Sequence, residues 1–238
     1  MIAAFTSICE EDARYIDQYL REIDRMDVDF TMHFDKCSDG TKEKIKSHPR
    51  CIGFTENNNQ EHHFDERDKQ GVLDILVAKK YVWAVNWDMD ETWEREAPSK
   101  LRKILEENTD AYVLDYTWVC LWDEPKFYRN DGPLAQGHRT RIYNLSKEGV
   151  TWVFYAATIN GAATFDGKHM KVRKEVGITK VDLICVHWGY LTREERVKHK
   201  ERWDFLYGRH TGDGKNPYGF WDWALEDIQP SLVEHDLF

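Results

Sequence analysis

The chain has 238 residues, 41% hydrophobic and 32% charged, with a formal net charge of −10 at pH 7. That length suits one sizeable domain that buries its own core without staples. The acidic balance argues against general nucleic-acid binding, because such a surface repels phosphate backbones.

Five cysteines (Cys9, Cys37, Cys51, Cys120 and Cys185) are an odd count at irregular spacings. They read as free thiols in a reducing compartment rather than as a disulfide frame or a zinc site. The apolar opening at residues 1–5 is one strand long and has no basic segment before it, so it reads as neither signal peptide nor anchor. No apolar run approaches the ~20 residues that span a bilayer. A cytoplasmic protein with no integral membrane segment is expected. Ten Trp, eleven Tyr and eleven Phe are an unusual aromatic load, suited to cores and to platforms for sugar rings or bases.

In chain order, residues 2–6 predict a buried strand, and Ser7 with Glu10, Glu11 and Asp12 predicts a helix start. Ala13, Ile16, Leu20, Ile23 and Met26 recur at helical spacing. Residues 29–34 predict a second strand, 35–41 a polar turn, and 51–54 a third strand. Val72, Leu73, Leu76 and Val77 mark a helix, and 81–87 is a strongly apolar strand running into Asp88-Met89-Asp90-Glu91. Pro98 opens a helix carrying Leu101, Ile104 and Leu105. Strands are predicted at 111–121, 140–145, 151–155, 168–174 and 181–187, then a helix at 192–207.

This order predicts a single α/β Rossmann-like domain over 1–238, with a mainly parallel sheet in the half 1–120 and a mixed, strand-rich half over 121–238. In open α/β sheets, ligands bind beyond the carboxyl ends of the strands. Thr6-Ser7, Asp35 to Asp39 and Asp88 to Glu91 all fall at such ends, so they are expected to share one crevice. Two aspartates one residue apart at a strand tip suit a hard cation such as Mg²⁺ or Mn²⁺. Such a cation offsets the charge on a departing diphosphate.

The segment "YVWAVNWDMDE" resembles the strand and Asp-x-Asp-Glu turn of GT-A-fold glycosyltransferases, especially the family 2-like branch. "IAAFTSICEEDARYIDQYL", "MHFDKCSDGT", "RTRIYNL" and "VHWGYLTREERVKHKERW" resemble further segments of that branch, in the same order, so the resemblance covers residues 1–205. It implies a metal-dependent transferase, of hexosyltransferase type, moving a sugar from a UDP- or GDP-type donor to a glycan or other hydroxyl acceptor. The half 1–120 would bind the nucleotide sugar and the half 121–238 the acceptor.

Residue by residue, it implies that Thr6, Asp35 and Asp39 contact the base and ribose. Asp88 and Asp90 would hold the ribose–diphosphate side and the metal, and His187 would add a metal ligand or diphosphate contact. Arg67, Lys69, Arg139 and Arg141 are candidates for the diphosphate, since guanidinium forks match phosphate oxygens. An inverting transferase needs a carboxylate base, for which Glu91, Asp123 and Glu124 are the candidates, with Asp131 also placed reasonably. The run Arg193, Arg196, Lys198, Lys200 and Arg202 predicts a solvated helix face.

Trp87 and Met89 depart from the small or aliphatic residues usual beside those aspartates. The segment 55–66, with His62-His63, matches no familiar pattern and predicts a polar loop. Two rival readings draw on the same residues. Asp88-x-Asp90-x-Thr92 also fits haloacid-dehalogenase-like phosphatases, although that family puts the motif on its first strand. The many aromatics also suit a non-catalytic carbohydrate-binding module.

Overall fold

The computed structural model describes residues 1–57, 65–131, 137–154, 156–159, 162–165, 178–201 and 230–238. The opening apolar run forms β1 (Ile2–Cys9), followed by a 3₁₀ helix (Glu10–Tyr15) and α1 (Ile16–Met26). Asp27 ends α1 in the left-handed region at φ 54°, a conformation that Asp tolerates better than most residues. Then come β2 (Asp29–Asp35), α2 (Asp39–Lys46), β3 (Cys51–Asn57), α3 (Asp65–Ala78) and β4 (Trp83–Asn86). They are followed by β5 (Glu91–Trp93), α4 (Ala97–Glu107), β6 (Val113–Trp122), β7 (Glu124–Arg129) and β8 (Gly137–Asn144). Three short strands, β9 (Val150–Val153), β10 (Ala156–Ile159) and β11 (Ala162–Phe165), precede β12 (Ile178–His187). A helix over 193–201 and β13 (Leu232–Glu234) complete the described chain.

The fold is mixed α/β, and the chain divides into two compact units whose segments interleave. The first comprises Met1–Asp90, Glu96–Tyr116 and Arg139–Leu183. In it β1 lies between β2 and β4, with β3 beyond β2, and all three of these contacts are parallel. Strand β8 closes on β4 in the antiparallel sense, so the sheet is mixed, while β9, β10 and β11 form a separate antiparallel sheet. The core gathers Ala3 and Phe5 from β1, Val72, Leu73 and Leu76 from α3, and Ala84, Val113, Trp152 and Phe154. The apolar face of α3 supplies that layer because its Val-Leu-x-x-Leu spacing puts three side chains on one side.

The second unit comprises Glu91–Arg95, Thr117–His138 and Ile184–Phe238. Here β5 pairs antiparallel with the end of β12, and β7 pairs antiparallel with β6 and β13. Its core is Val119, Leu121 and Val186.

Several expectations are corrected. The polar turn expected over 35–41 ends early, because Ser38 caps α2 by accepting the Thr41 N–H at 3.3 Å, and Glu10 accepts the Ser38 N–H at 2.7 Å. The helix that follows was missed because Asp39 to Lys46 is polar on most faces and buries only Thr41 and Ile45. The acidic turn after β4 ends in a strand, β5, because Thr92 and Trp93 pair with β12. The predicted strand at 168–174, His62-His63 and residues 202–207 lie outside the described residues.

At Gly53 of β3, helix α3 packs so near that an added Cβ would meet the Ile75 Cγ2 at 2.9 Å. Gly53→Ala should therefore lower stability by about 1–3 kcal/mol. Most of that penalty should disappear in an Ile75→Ala background, as read by a double-mutant cycle of urea midpoints. Additive losses would show that this contact is not the cause.

Candidate functional site

In the first unit, parallel pairing sets Phe5 opposite Asn86, and the Trp87 N–H donates to the Phe5 carbonyl at 3.2 Å. The chain then alternates: Trp87 and Met89 are buried, while Asp88 and Asp90 are partly open. Trp87 packs edge-to-face on Tyr19 of α1 at 5.5 Å, which explains the bulky residue beside the aspartates. It is a core anchor that fixes where Asp88 points.

Asp88 is the hub of a charged cluster. Its Oδ1 accepts from Lys69 Nζ at 2.6 Å and from Thr6 Oγ1 at 3.3 Å, and its Oδ2 accepts from Arg141 Nη1 at 2.7 Å. These residues come from α3, β1 and β8, which meet at this end of the sheet. The Lys69 side chain is only 5% exposed, and Asp88, though closely surrounded, keeps 28% of its side chain open. Desolvation works to raise the Asp88 pKa, but Lys69 and then Arg141 outweigh it and hold the carboxyl far below the usual range.

The other donor-side candidates are placed differently. Asp35 is buried at the end of β2, in register between Cys9 of β1 and Asn57 of β3. Asp39 is exposed as the first residue of α2. Arg67 turns to its neighbour Asp68, with Nε at 2.8 Å from Oδ1. Buried Asp68 also lies 3.5 Å from His33 Nε2, and His33 Nδ1 meets Thr55 Oγ1 at 2.7 Å. This His33–Asp68 pair was missed; its only sequence signal is an acid beside Arg67. Arg139 is half-buried on β8, two residues from Arg141 and so on the same face of the strand.

In the second unit, Glu91 and His187 face each other across β5 and β12. Glu91 is 1% exposed and accepts the Trp118 indole N–H at 3.0 Å. The His187 ring lies against Trp118 and Tyr190, with centroids at 5.0 and 4.8 Å, and 6.0 Å from His199. Asp123 sits at the β6–β7 turn with φ 61°, and its carboxylate accepts from Arg196 Nη2 at 2.9 Å. Arg196 is buried and its guanidinium stacks on Trp122 at 4.0 Å, so this residue leaves the solvated face predicted for its helix. Glu124 is open beside Lys126, 3.7 Å away.

The cation expected on Asp88, Asp90 and His187 meets a poor fit at Asp88, since each of its oxygens already receives a charged donor. Among the described residues, no three His, Cys, Asp or Glu side chains are grouped so as to hold a metal ion. Asp90, partly open at the turn, offers a single carboxylate. No described helix is long and apolar enough to cross a membrane.

No family model matches the chain, and no curated protein matches it. Among solved structures, a mannosyltransferase from Pyrobaculum calidifontis in complex with GDP-Man and Mn²⁺ is 15% identical, covering 94% of this chain and 71% of its own, with a TM-score of 0.46. HddC from Yersinia pseudotuberculosis is 8% identical, covering 85% of this chain and 98% of its own, at 0.45. TarS of S. aureus is 12% identical over 61% of this chain, at 0.42. The chain spans 28% and 47% of the two TarS chains it matches. At such identities each is a likeness of chain course only.

Asp88→Asn should cost on the order of 2 kcal/mol at neutral pH, because it leaves two cations without their shared carboxylate. A depressed carboxylate stabilises fully above its ordinary value of 3.8 and loses that contribution as pH falls toward its folded-state value. The gap between wild type and Asp88→Asn in urea melts should thus be constant above about pH 5 and shrink below about pH 4. A gap that stays unchanged through the acid limb would show that Asp88 is not held ionised by its partners.

Proposed function

We propose that the chain is a glycosyltransferase that takes a sugar from a nucleotide-diphosphate donor, UDP- or GDP-type, and passes it to a glycan or other hydroxyl acceptor. The observation that carries this reading is the meeting of Thr6, Lys69, Asp88 and Arg141 just past the carboxyl end of β4, alongside the carboxyl-terminal half of its parallel neighbour β1. Ligands of open α/β sheets bind at this end. Lysine and arginine held there suit diphosphate oxygens. The buried Asp35 at the end of β2 suits the ribose and base side.

Divalent Mn²⁺ or Mg²⁺, arriving with the donor, would find one carboxylate in Asp90, and such an ion when bound offsets charge on the departing diphosphate. For the base, accessibility favours Asp123 and Glu124, whose side chains are 55% and 62% exposed, over the sealed Glu91. The whole chain is read as one transferase domain. A phosphatase using Asp88 as nucleophile is disfavoured, because both of its oxygens are engaged. A sugar-binding module has no use for cations at this strand end.

A thermal-shift panel of nucleotide diphosphates and nucleotide sugars, with and without Mn²⁺, tests the reading. One nucleotide class should stabilise the protein by about 2.7 kcal/mol at a hundredfold excess over its Kd. Asp90→Ala should keep the wild-type melting midpoint yet lose ~10²-fold or more in kcat for sugar transfer. If no nucleotide sugar shifts the midpoint under either condition, the assignment fails.

A further inference from the structure

The three donors on Asp88 bear on how the diphosphate is neutralised. A metal ion ligated by either oxygen of Asp88 would sit ~2.1 Å from it. Lys69 Nζ already lies 2.6 Å from Oδ1, and Arg141 Nη1 lies 2.7 Å from Oδ2. The ion would then be within ~5 Å of an ammonium or a guanidinium whichever oxygen it chose, in a place where the Lys69 side chain is almost closed to water. Mutual repulsion there is weakly screened. The same contacts orient the two cations: Asp88 fixes the Lys69 ammonium from one side and a guanidinium nitrogen of Arg141 from the other. Trp87, wedged on Tyr19, fixes the backbone that carries Asp88.

Resting on the transferase reading above, we infer that Lys69 and Arg141 form a seat for the donor's diphosphate that works without a divalent ion. Asp88 is then a positioning residue for the two cations rather than a metal ligand. An ammonium gives a compact point charge and a guanidinium gives a planar fork, so together they meet oxygens on two neighbouring phosphates. Any metal the reaction employs is held through Asp90 and the phosphates, and it adds to a donor already seated.

Calorimetric titration of the full chain with inorganic pyrophosphate, and with UDP and GDP, in EDTA and in Mn²⁺ tests the inference. Pyrophosphate should bind in EDTA with a Kd within a few-fold of the Mn²⁺ value. Lys69→Gln and Arg141→Gln should each weaken it roughly tenfold or more. Lys69→Arg, which keeps the charge, should restore most of the affinity and guards against a folding defect. In electron paramagnetic titrations at nucleoside diphosphate concentrations that saturate both proteins, Asp88→Asn should bind Mn²⁺ as the wild type does, although more nucleotide is needed to reach saturation.

Absence of pyrophosphate binding in EDTA, whether or not Mn²⁺ restores it, overturns the seat. So does loss of the bound Mn²⁺ signal in Asp88→Asn. Failure of the transferase reading looks different: pyrophosphate binds in EDTA, but no nucleotide sugar is bound or consumed. Transfer that proceeds with strictly Mn²⁺-dependent nucleotide binding sinks the seat alone.

Discussion

The electrostatic contact among Asp88, Lys69 and Arg141 is the constraint on which the donor-side reading depends. Burying an ammonium as closed to water as that of Lys69 is unfavourable unless a carboxylate meets it at hydrogen-bond distance, and Asp88 does so at 2.6 Å. The strand end, helix α3 and strand β8 must therefore arrive together, because moving any one of them strands a charge. Core packing makes that arrival possible. Phe5, Leu73, Leu76 and Ala84 draw α3 onto β1 and β4, and the antiparallel pairing of β8 with β4 brings Arg141 alongside. On the proposed donor-side reading, function and stability rest here on the same few side chains.

The second unit uses a related device. Arg196 stacks on Trp122 while its Nη2 reaches Asp123, and buried Arg129 stacks on the same indole at 4.3 Å and pairs with Asp131 at 2.9 Å. Two guanidiniums on one tryptophan keep their charges satisfied at the edge and their planes packed. The result fixes the β6–β7 turn, where Asp123 takes a left-handed backbone conformation. The contact with Arg196 at 2.9 Å holds the Asp123 carboxylate in one orientation at that turn. Glu124 beside it is less constrained. Glu91, sealed under Trp118, has the character of a framework residue.

Much of the first unit was legible in the chain. The apolar runs of β1 and β4, the amphipathic spacing of α1 and the Pro98 start of α4 are local signals, and each element lies near its expected place. The strand-end rule also brought out Asp88; Thr6, expected at the end of a strand over 2–6, lies within β1, which runs on to Cys9, and touches Asp88 from there. Helix α2 escaped notice because its stability comes from a Ser38 cap and from Glu10, a residue 28 positions earlier. The β6–β7 hairpin escaped because its turn residue is Asp123 rather than a glycine or asparagine pair. Arg196 looked like one more member of a basic helical run, and nothing local separates it from Lys198 or Lys200.

By itself, then, the order of residues determined the apolar strands β1 and β4 and the amphipathic helices α1 and α4, because backbone periodicity and burial patterns are local properties. It also placed two aspartates at the tip of β4. Only the tertiary structure decided that Lys69 and Arg141, 72 positions apart, both point at one of those aspartates while Arg67 is drawn to Asp68. Charge partners are chosen by distance in space and by the cost of leaving a buried ion alone, and neither quantity is written in sequence separation.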